Sequence, residues 1–319
     1  MQFPFFIVGF SRSGTTLLAR LLDNHSKVCV TPETRYCRGV FPCGQVDSKP
    51  RNHEFIANRI MSYWRIKDLN ISKAEFLGEF LKWESSYRNG FVSLLECYRR
   101  TRHKPLIGEK SPIHLSYVPI LVEWFPDAAI FCLVRDGRDV VSSMLKAPFT
   151  HNNPLRHAAE WTATAKRIRR LEDQYPGNFQ VIRFETLVTD PQGVLKDVCG
   201  RLGLEFEPGQ LEPVGESRVI PDWEKPWKSE AAAAVDSSKV ALWRTNLSPR
   251  AQYALSAIMS RELDHWEYQS SAGRAMSLPM RLIIDLVAIV FRDPLYSVFR
   301  SASTFVRVVL CRIGLKEYW

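Results

Sequence analysis

The residues that can do chemistry sit just beyond short apolar runs. Gly9, Arg12, Ser13, Gly14, Thr15 and Thr16 lie in Gly9-Phe-Ser-Arg-Ser-Gly-Thr-Thr16, between the apolar run Phe3–Val8 and leucines 17, 18, 21 and 22 at helical spacing. A strand, a glycine loop and a helix in that order aim backbone N–H groups at an anion, and the helix end adds about half a positive charge. Gly9, Gly14 and the Thr16 hydroxyl keep the spacing of a GxxxxGK[ST] phosphate loop. Thr15 stands where that loop has lysine, and the nearest cation is Arg12. A nucleoside triphosphatase needs the lysine and usually magnesium, so this loop predicts phosphate binding without that apparatus. The plainer alternative is a strand and helix joined by a tight glycine turn.

Three further groups have the same placement. Glu33, in Pro32-Glu-Thr-Arg35, follows a short strand over 27–31. A carboxylate at the C-terminal end of a parallel strand lies where ligands bind in open α/β sheets. It can also simply pair with Arg35. Lys110, in Glu109-Lys-Ser-Pro112, ends a strand over 105–108. Arg135-Asp-Gly-Arg-Asp139 follows the buried-type run Ala129–Val134 and opens a helix through Val140, Val141, Met144 and Leu145. Two arginines at such a turn grip a phosphate bidentately, or they pair with Asp136 and Asp139.

The elements that position these groups predict an α/β chain. It is a P-loop-type three-layer fold with a central, mostly parallel sheet, a helical insertion at about 40–104 and a helical C-terminal tail. Residues 36–51 read as a loop. Within the insertion, Ser72-Lys-Ala-Glu75 is a capping box. Behind it Phe76, Phe80, Trp83 and Tyr87 recur at i, i+4, i+7 and i+11, as core packing or as a substrate-lining face. A helix spans about His114–Phe125, a basic helix 156–175, and a fifth strand 179–184. Asp190-Pro191 starts a helix that Gly203 ends. Residues 205–236 are Pro-rich and irregular, of the kind that orders over a nucleotide, and Ser248-Pro249 starts a helix reaching about Trp266. The domains expected are 1–270 and the tail, 277–319. The tail is apolar with interspersed arginines and split by Pro294; it packs on its own domain or a partner subunit, or lies as a basic amphipathic helix on a membrane.

Composition narrows the function. The 319 residues carry 43 Lys+Arg against 34 Asp+Glu, a net charge of +9, which suits an anionic ligand, an acidic substrate or a membrane surface. No zinc knuckle, RNP motif or dense basic run points to nucleic acid. Seven cysteines without a CxxC pair predict free thiols in a reducing, cytoplasmic setting and no metal site. The first strand begins too early for a signal peptide to precede it. No apolar stretch reaches the roughly 20 residues of a membrane span.

These residues resemble the sulfotransferases that use 3′-phosphoadenosine 5′-phosphosulfate (PAPS). Arg-Ser-Gly-Thr-Thr at 12–16 is similar to that family's 5′-phosphosulfate loop, and Val-Arg-Asp-Gly-Arg-Asp-Val-Val-Ser-Ser at 134–143 to its 3′-phosphate motif. The resemblance runs over about 3–266, weakly through 40–104, and not into the tail. Pro-Glu-Thr-Arg at 32–35 looks most like the tyrosylprotein sulfotransferases and their bacterial relatives. That likeness implies Glu33 as general base, and Arg12 with Lys110 as stabilisers of charge on the leaving oxygen. It places Ser13, Gly14, Thr15 and Thr16 around the 5′-phosphate, and Arg135 with Ser143 on the 3′-phosphate. His114 is the second candidate base. The chain departs from the family in lacking a Golgi anchor and in carrying Phe184 where tyrosine is common. The segment that covers the nucleotide is echoed only by Ser237-Ser238-Lys239 before Trp243.

The chemistry is consistent with this. Sulfuryl transfer, like phosphoryl transfer, is mostly positioning and charge stabilisation. PAPS needs two anion sites and no metal. The acceptor implied is a hydroxyl, or an amine, of a small molecule, glycan, lipid or peptide, with no nucleic acid. The alternatives are a P-loop kinase-like phosphotransferase, which predicts a magnesium carboxylate and ATP, and a scaffold protein with a dead nucleotide fold. The tail makes peripheral membrane contact or dimerisation the further expectation.

Overall fold

The computed structural model describes residues 4–41, 51–148, 150–215 and 217–268. The tail at 277–319 and the 42–50 segment lie outside them. The described chain falls into two compact units. The first comprises 4–40, 51–135 and 167–240. The second comprises Phe41, the described part of 136–166, and 241–268.

The first unit is built on five strands: β1 (Phe5–Gly9), β2 (Val28–Thr31), β3 (Leu106–Lys110), β4 (Ile130–Val134) and β5 (Phe179–Arg183). Their order is β2-β3-β1-β4-β5, and every pairing is parallel. Parallel pairing requires crossovers, here α1 (Thr15–Asp23) and the stretch holding α2 (Tyr36–Val40), α3 (His53–Ser62), α4 (Lys73–Phe80) and α5 (Tyr87–Arg102), then α6 (Val118–Trp124). The two-residue period of β1 sends Phe5 and Ile7 to one face, among leucines of α1. It sends Phe6 to the other, against Phe91 of α5 and Phe125, with ring centroids 6.2 and 5.5 Å away. Both faces are covered, so β1 to β4 are buried throughout. After β5 come α9 (Phe184–Thr189) and α10 (Pro191–Arg201), following α7 (Gly137–Leu145) and α8 (Pro154–Gln174) in chain order. Asp190 caps α10, accepting from the Gly193 amide. Short turns at 208–239 include α11 (Lys225–Lys228).

The second unit holds α7, α12 (Trp243–Asn246) and α13 (Pro249–His265). Arg138 is buried there, bonded to Asp136 at 2.7 Å and stacked 3.9 Å from the Trp243 ring. Asp139 accepts from the Ala241 and Trp243 amides. Arg138 is therefore held within its own unit by Asp136 and Trp243, as one reading of the sequence had it.

Helix boundaries depart from the sequence expectation in several places; α2 (Tyr36–Val40) lies at the start of the 36–51 stretch that read as a loop, with Tyr36, Cys37 and Val40 buried. The aromatic spacing at 76–87 crosses a break: α4 ends at Phe80, and Ser86 caps α5 by accepting from the Asn89 amide. Phe76, Phe80 and Tyr87 are core, whereas Trp83 is 40% exposed. His114 lies in a 3-10 turn, Pro112–Tyr117, rather than in a helix reaching Phe125. Among the described residues no helix is long and apolar enough to cross a membrane, and the five described cysteines are buried thiols.

Candidate active site

The loop between β1 and α1 has the form its glycines demand. Gly14 has φ +95°, and a Cβ there would lie 2.5 Å from the Phe184 ring. Gly14→Ala should therefore cost about 2–4 kcal/mol, from left-handed strain plus overpacking. The midpoint of urea unfolding measures it, and an unchanged midpoint would mean that the ring yields freely. The Ser13 amide donates to the Phe10 carbonyl (3.3 Å) and the Leu18 amide to the Gly14 carbonyl (3.1 Å). No side chain caps α1. The buried Ser13 Oγ has no hydrogen-bond partner, and Thr15 and Thr16 are buried beside it. An uncapped helix end and an orphaned hydroxyl are donors arranged for an anion.

Two arginines share that loop. Arg135 donates to the Arg12 carbonyl (3.3 Å) and the Lys239 carbonyl (2.8 Å), and its guanidinium lies 4.1 Å over the Phe184 ring. Phe184 thus supplies a platform for Arg135 and a wall for Gly14. Arg12 donates to the Trp227 carbonyl (3.1 Å). Burial, and then the Arg135 charge, lower the Arg12 pKa, the mark of crowded cations that an anion would relieve.

The acceptor side grows from sheet register. Thr31 pairs with Glu109, so Glu33 and Lys110 emerge at the same end of neighbouring strands. Lys110 Nζ lies 3.1 Å from Glu33 Oε1, both groups buried. Oε1 also receives Lys228 at 2.6 Å. Oε2 receives Arg35 at 3.1 and 3.2 Å and lies 3.6 Å from Arg65. Burial alone would raise the Glu33 pKa, but Lys110, Lys228 and Arg35 together hold it well below the ordinary carboxylate range. Burial pushes Lys110 down to about 8, with Glu33 acting against that shift. Arg35 does pair with Glu33, as one reading of the sequence had it, but within a buried cluster rather than alone on the surface.

The turn that presents Glu33 is tied to β3 by a second carboxylate. Glu109 accepts from Thr34 Oγ1 (2.6 Å), the Thr34 amide (3.3 Å), Ser111 Oγ (2.6 Å) and His114 Nδ1 (2.8 Å). The Arg35 amide donates to Ser111 Oγ (2.8 Å), the Tyr36 amide to Thr34 Oγ1 (3.2 Å), and the Cys37 amide to His114 Nε2 (3.2 Å). Burial disfavours the His114 charge and Glu109 favours it; the Cys37 amide donating to Nε2 keeps that nitrogen bare, so the ring carries its proton on Nδ1, towards Glu109. Both His114 nitrogens are engaged, so neither faces an acceptor.

Of the residues singled out in the sequence, Glu33 and Lys110 meet directly, and Arg12, Ser13, Gly14, Thr15, Thr16 and Arg135 gather at the loop. Ser143 lies on α7, in the second unit, half-buried. Sequence reasoning missed Arg65, Glu224 and Lys228. Arg65 lies between the Trp64 and Trp223 rings (4.6 and 4.8 Å) and donates to Glu224 (3.1 Å). Lys228 also donates to Glu224 at 2.6 Å. In the second unit His151, His157 and Glu160 cluster, but the imidazoles stack nearly parallel, 3.9 Å apart and 13° tilted, so their planes do not meet on one ion.

A parallel sheet carries an uncapped phosphate-type loop and a carboxylate–lysine pair at its C-terminal edge. The family model described as Sulfotransferase family matches residues 4–208, and the chain belongs to that family. It is 24% identical over 292 residues to nodulation protein NoeE of Sinorhizobium fredii, covering 81% of this chain and 64% of that one. It is 25% identical over 211 residues to protein-tyrosine sulfotransferase A of Caenorhabditis elegans, covering 64% and 51%. The chain thus spans less than two thirds of the length of these relatives. The fold is shared with the sulfotransferase domain of the Synechococcus PCC 7002 olefin synthase (TM-score 0.63, 21% identity, 84% of this chain and 95% of that one). It is shared also with the sulfotransferase domain of the curacin biosynthetic pathway (TM-score 0.60, 22% identity, 84% and 99%).

Proposed function

We propose that this chain moves a sulfuryl group from PAPS to an acceptor hydroxyl by in-line transfer. The observation that carries the reading is the buried Glu33–Lys110 pair, 3.1 Å apart, at the sheet edge that also bears the anion loop. Ser13, Gly14, Thr15 and Thr16 cradle the 5′-phosphate, and Arg135 takes the 3′-phosphate. The acceptor oxygen bonds to sulfur, the bond from sulfur to the bridging oxygen breaks, and the acceptor proton goes to Glu33. Arg12 and Lys110 hold the charge left on the bridging oxygen of the departing 3′-phosphoadenosine 5′-phosphate (PAP). The loop amides and these cations supply what a metal and a P-loop lysine supply elsewhere, which accounts for Thr15. The engaged nitrogens of His114 favour Glu33 over it as base. The acceptor classes remain a phenol, glycan, lipid or peptide hydroxyl.

A thermal-shift titration with PAP alongside ATP–magnesium tests the donor. Ligand at 100 times its dissociation constant adds about 2.7 kcal/mol of stability. Selective stabilisation by PAP is expected; stabilisation by ATP–magnesium alone would replace this reading with the kinase one. Arg135→Ala should weaken PAP binding about 10- to 100-fold, the worth of a charge-assisted phosphate contact. An unchanged dissociation constant by calorimetry would remove Arg135 from the donor site.

A further inference from the structure

Both oxygens of the Glu33 carboxylate already accept two hydrogen bonds, from Lys110 and Lys228 on Oε1 and from two nitrogens of Arg35 on Oε2, with Arg65 a further 3.6 Å ion-pair neighbour. A hydroxyl that is to give Glu33 its proton must first displace one of these cations. Lys110 is fully buried at the end of β3. Arg35 grips Oε2 through two nitrogens, and its amide is fixed to Ser111. Lys228 differs on three counts. It shares Oε1 with Lys110, the lysine placed beside the leaving oxygen. It sits next to Trp227, whose carbonyl holds Arg12. It also has a second carboxylate, Glu224 at 2.6 Å, which is itself buried and held by Arg65. Leaving Glu33 therefore does not strand a buried ammonium without a counter-charge, the event that makes breaking buried pairs costly.

We propose that Lys228 is a positioning residue that occupies the acceptor's place on Glu33 Oε1 and yields it to an incoming hydroxyl while staying on Glu224. This rests on the sulfuryl-transfer reading. It makes residues 227 and 228 a single internal plug, with one carbonyl on the donor-side arginine and one ammonium on the base. The plug keeps water off Glu33 while PAPS waits. Unplugged, water itself becomes the acceptor: its oxygen bonds to sulfur, the bond to the bridging oxygen breaks, Glu33 takes the proton, and sulfate and PAP leave.

The test is release of PAP from PAPS by the full chain with no added acceptor, with PAP affinity measured in parallel. Lys228→Met should raise this hydrolysis at least about tenfold over the wild type, with the PAP dissociation constant within about threefold. Lys228→Arg, which restores a cation, should return it towards the wild-type rate. Lys228→Ala carries the same expectation as Lys228→Met should the latter fold poorly. Hydrolysis unchanged or lowered in the neutral variants, at unchanged PAP affinity, would overturn the proposal, since a structural or charge-stabilising lysine cannot produce a gain. Failure of every protein, wild type included, to bind PAP would instead count against the PAPS reading.

Discussion

Glu33→Gln should lower turnover by a factor of about 10²–10⁴, the range for loss of a general base, and leave PAP affinity nearly intact. The amide matches the carboxylate in shape and still accepts hydrogen bonds, but it cannot take the acceptor proton. The donor loop lies on β1 and α1, whereas Glu33 follows β2, so the two functions separate in one variant. Wild-type turnover in Glu33→Gln would move the base elsewhere. The same substitution tests the charge cluster. The Glu33 pKa is depressed in the folded chain, so its stabilising contribution is present above the unfolded carboxylate value and disappears as pH falls through the folded one. The wild type should lose stability across that acidic window, and Glu33→Gln should show a flatter melting profile there. Parallel profiles would mean that the cluster contributes no net stability.

Lys110 should set the alkaline limit. Burial pushes its pKa down to about 8 while Glu33 resists. The charged form prevails below that value and is lost above it. If its ammonium neutralises the leaving oxygen, turnover should fall on the alkaline side with an apparent pKa near 8. Lys110→Met should cost about 10²–10³ in kcat, the scale for removing one donor to a developing anion. Lys110→Arg should keep part of the activity and carry the alkaline limb upward, because a guanidinium stays protonated. A limb that stays near 8 in Lys110→Arg would belong to another group.

What the sequence made legible follows from locality. The strands announce themselves as apolar runs, and each candidate residue placed at or just beyond a strand end lies there. Gly9, Gly14 and Arg12 are read together because eight consecutive residues form their loop. Glu33 and Lys110 are far apart in the chain, yet parallel strands bring all their C-terminal ends to one edge, so two strand-end residues become neighbours once the sheet is granted. Arg65, Glu224 and Lys228 had no such signal. They come from a 3-10 turn and from an irregular Pro-rich stretch, and no spacing rule links them to Glu33. The aromatic spacing at 76–87 misled because residues on either side of a helix break kept a helical count, with Ser86 restarting the period. In the Arg135–Arg138 pair two like residues of one turn have different partners: Arg138 is buried against Asp136 and Trp243, the pairing one reading of the sequence offered, while Arg135 bonds the Arg12 and Lys239 carbonyls.

The Glu109 knot has a consequence for exchange with solvent deuterium. The amides of Thr34, Arg35, Tyr36 and Cys37 run in succession, and each donates to a side chain that is itself buried: Glu109, Ser111, Thr34 and His114. None of these protons takes part in the sheet ladder, yet all should be retained on the timescale of the neighbouring strand amides, because freeing any one requires opening the cluster beneath β3. In a deuterium time course, the turn that carries Glu33 should behave as though it were a sixth strand.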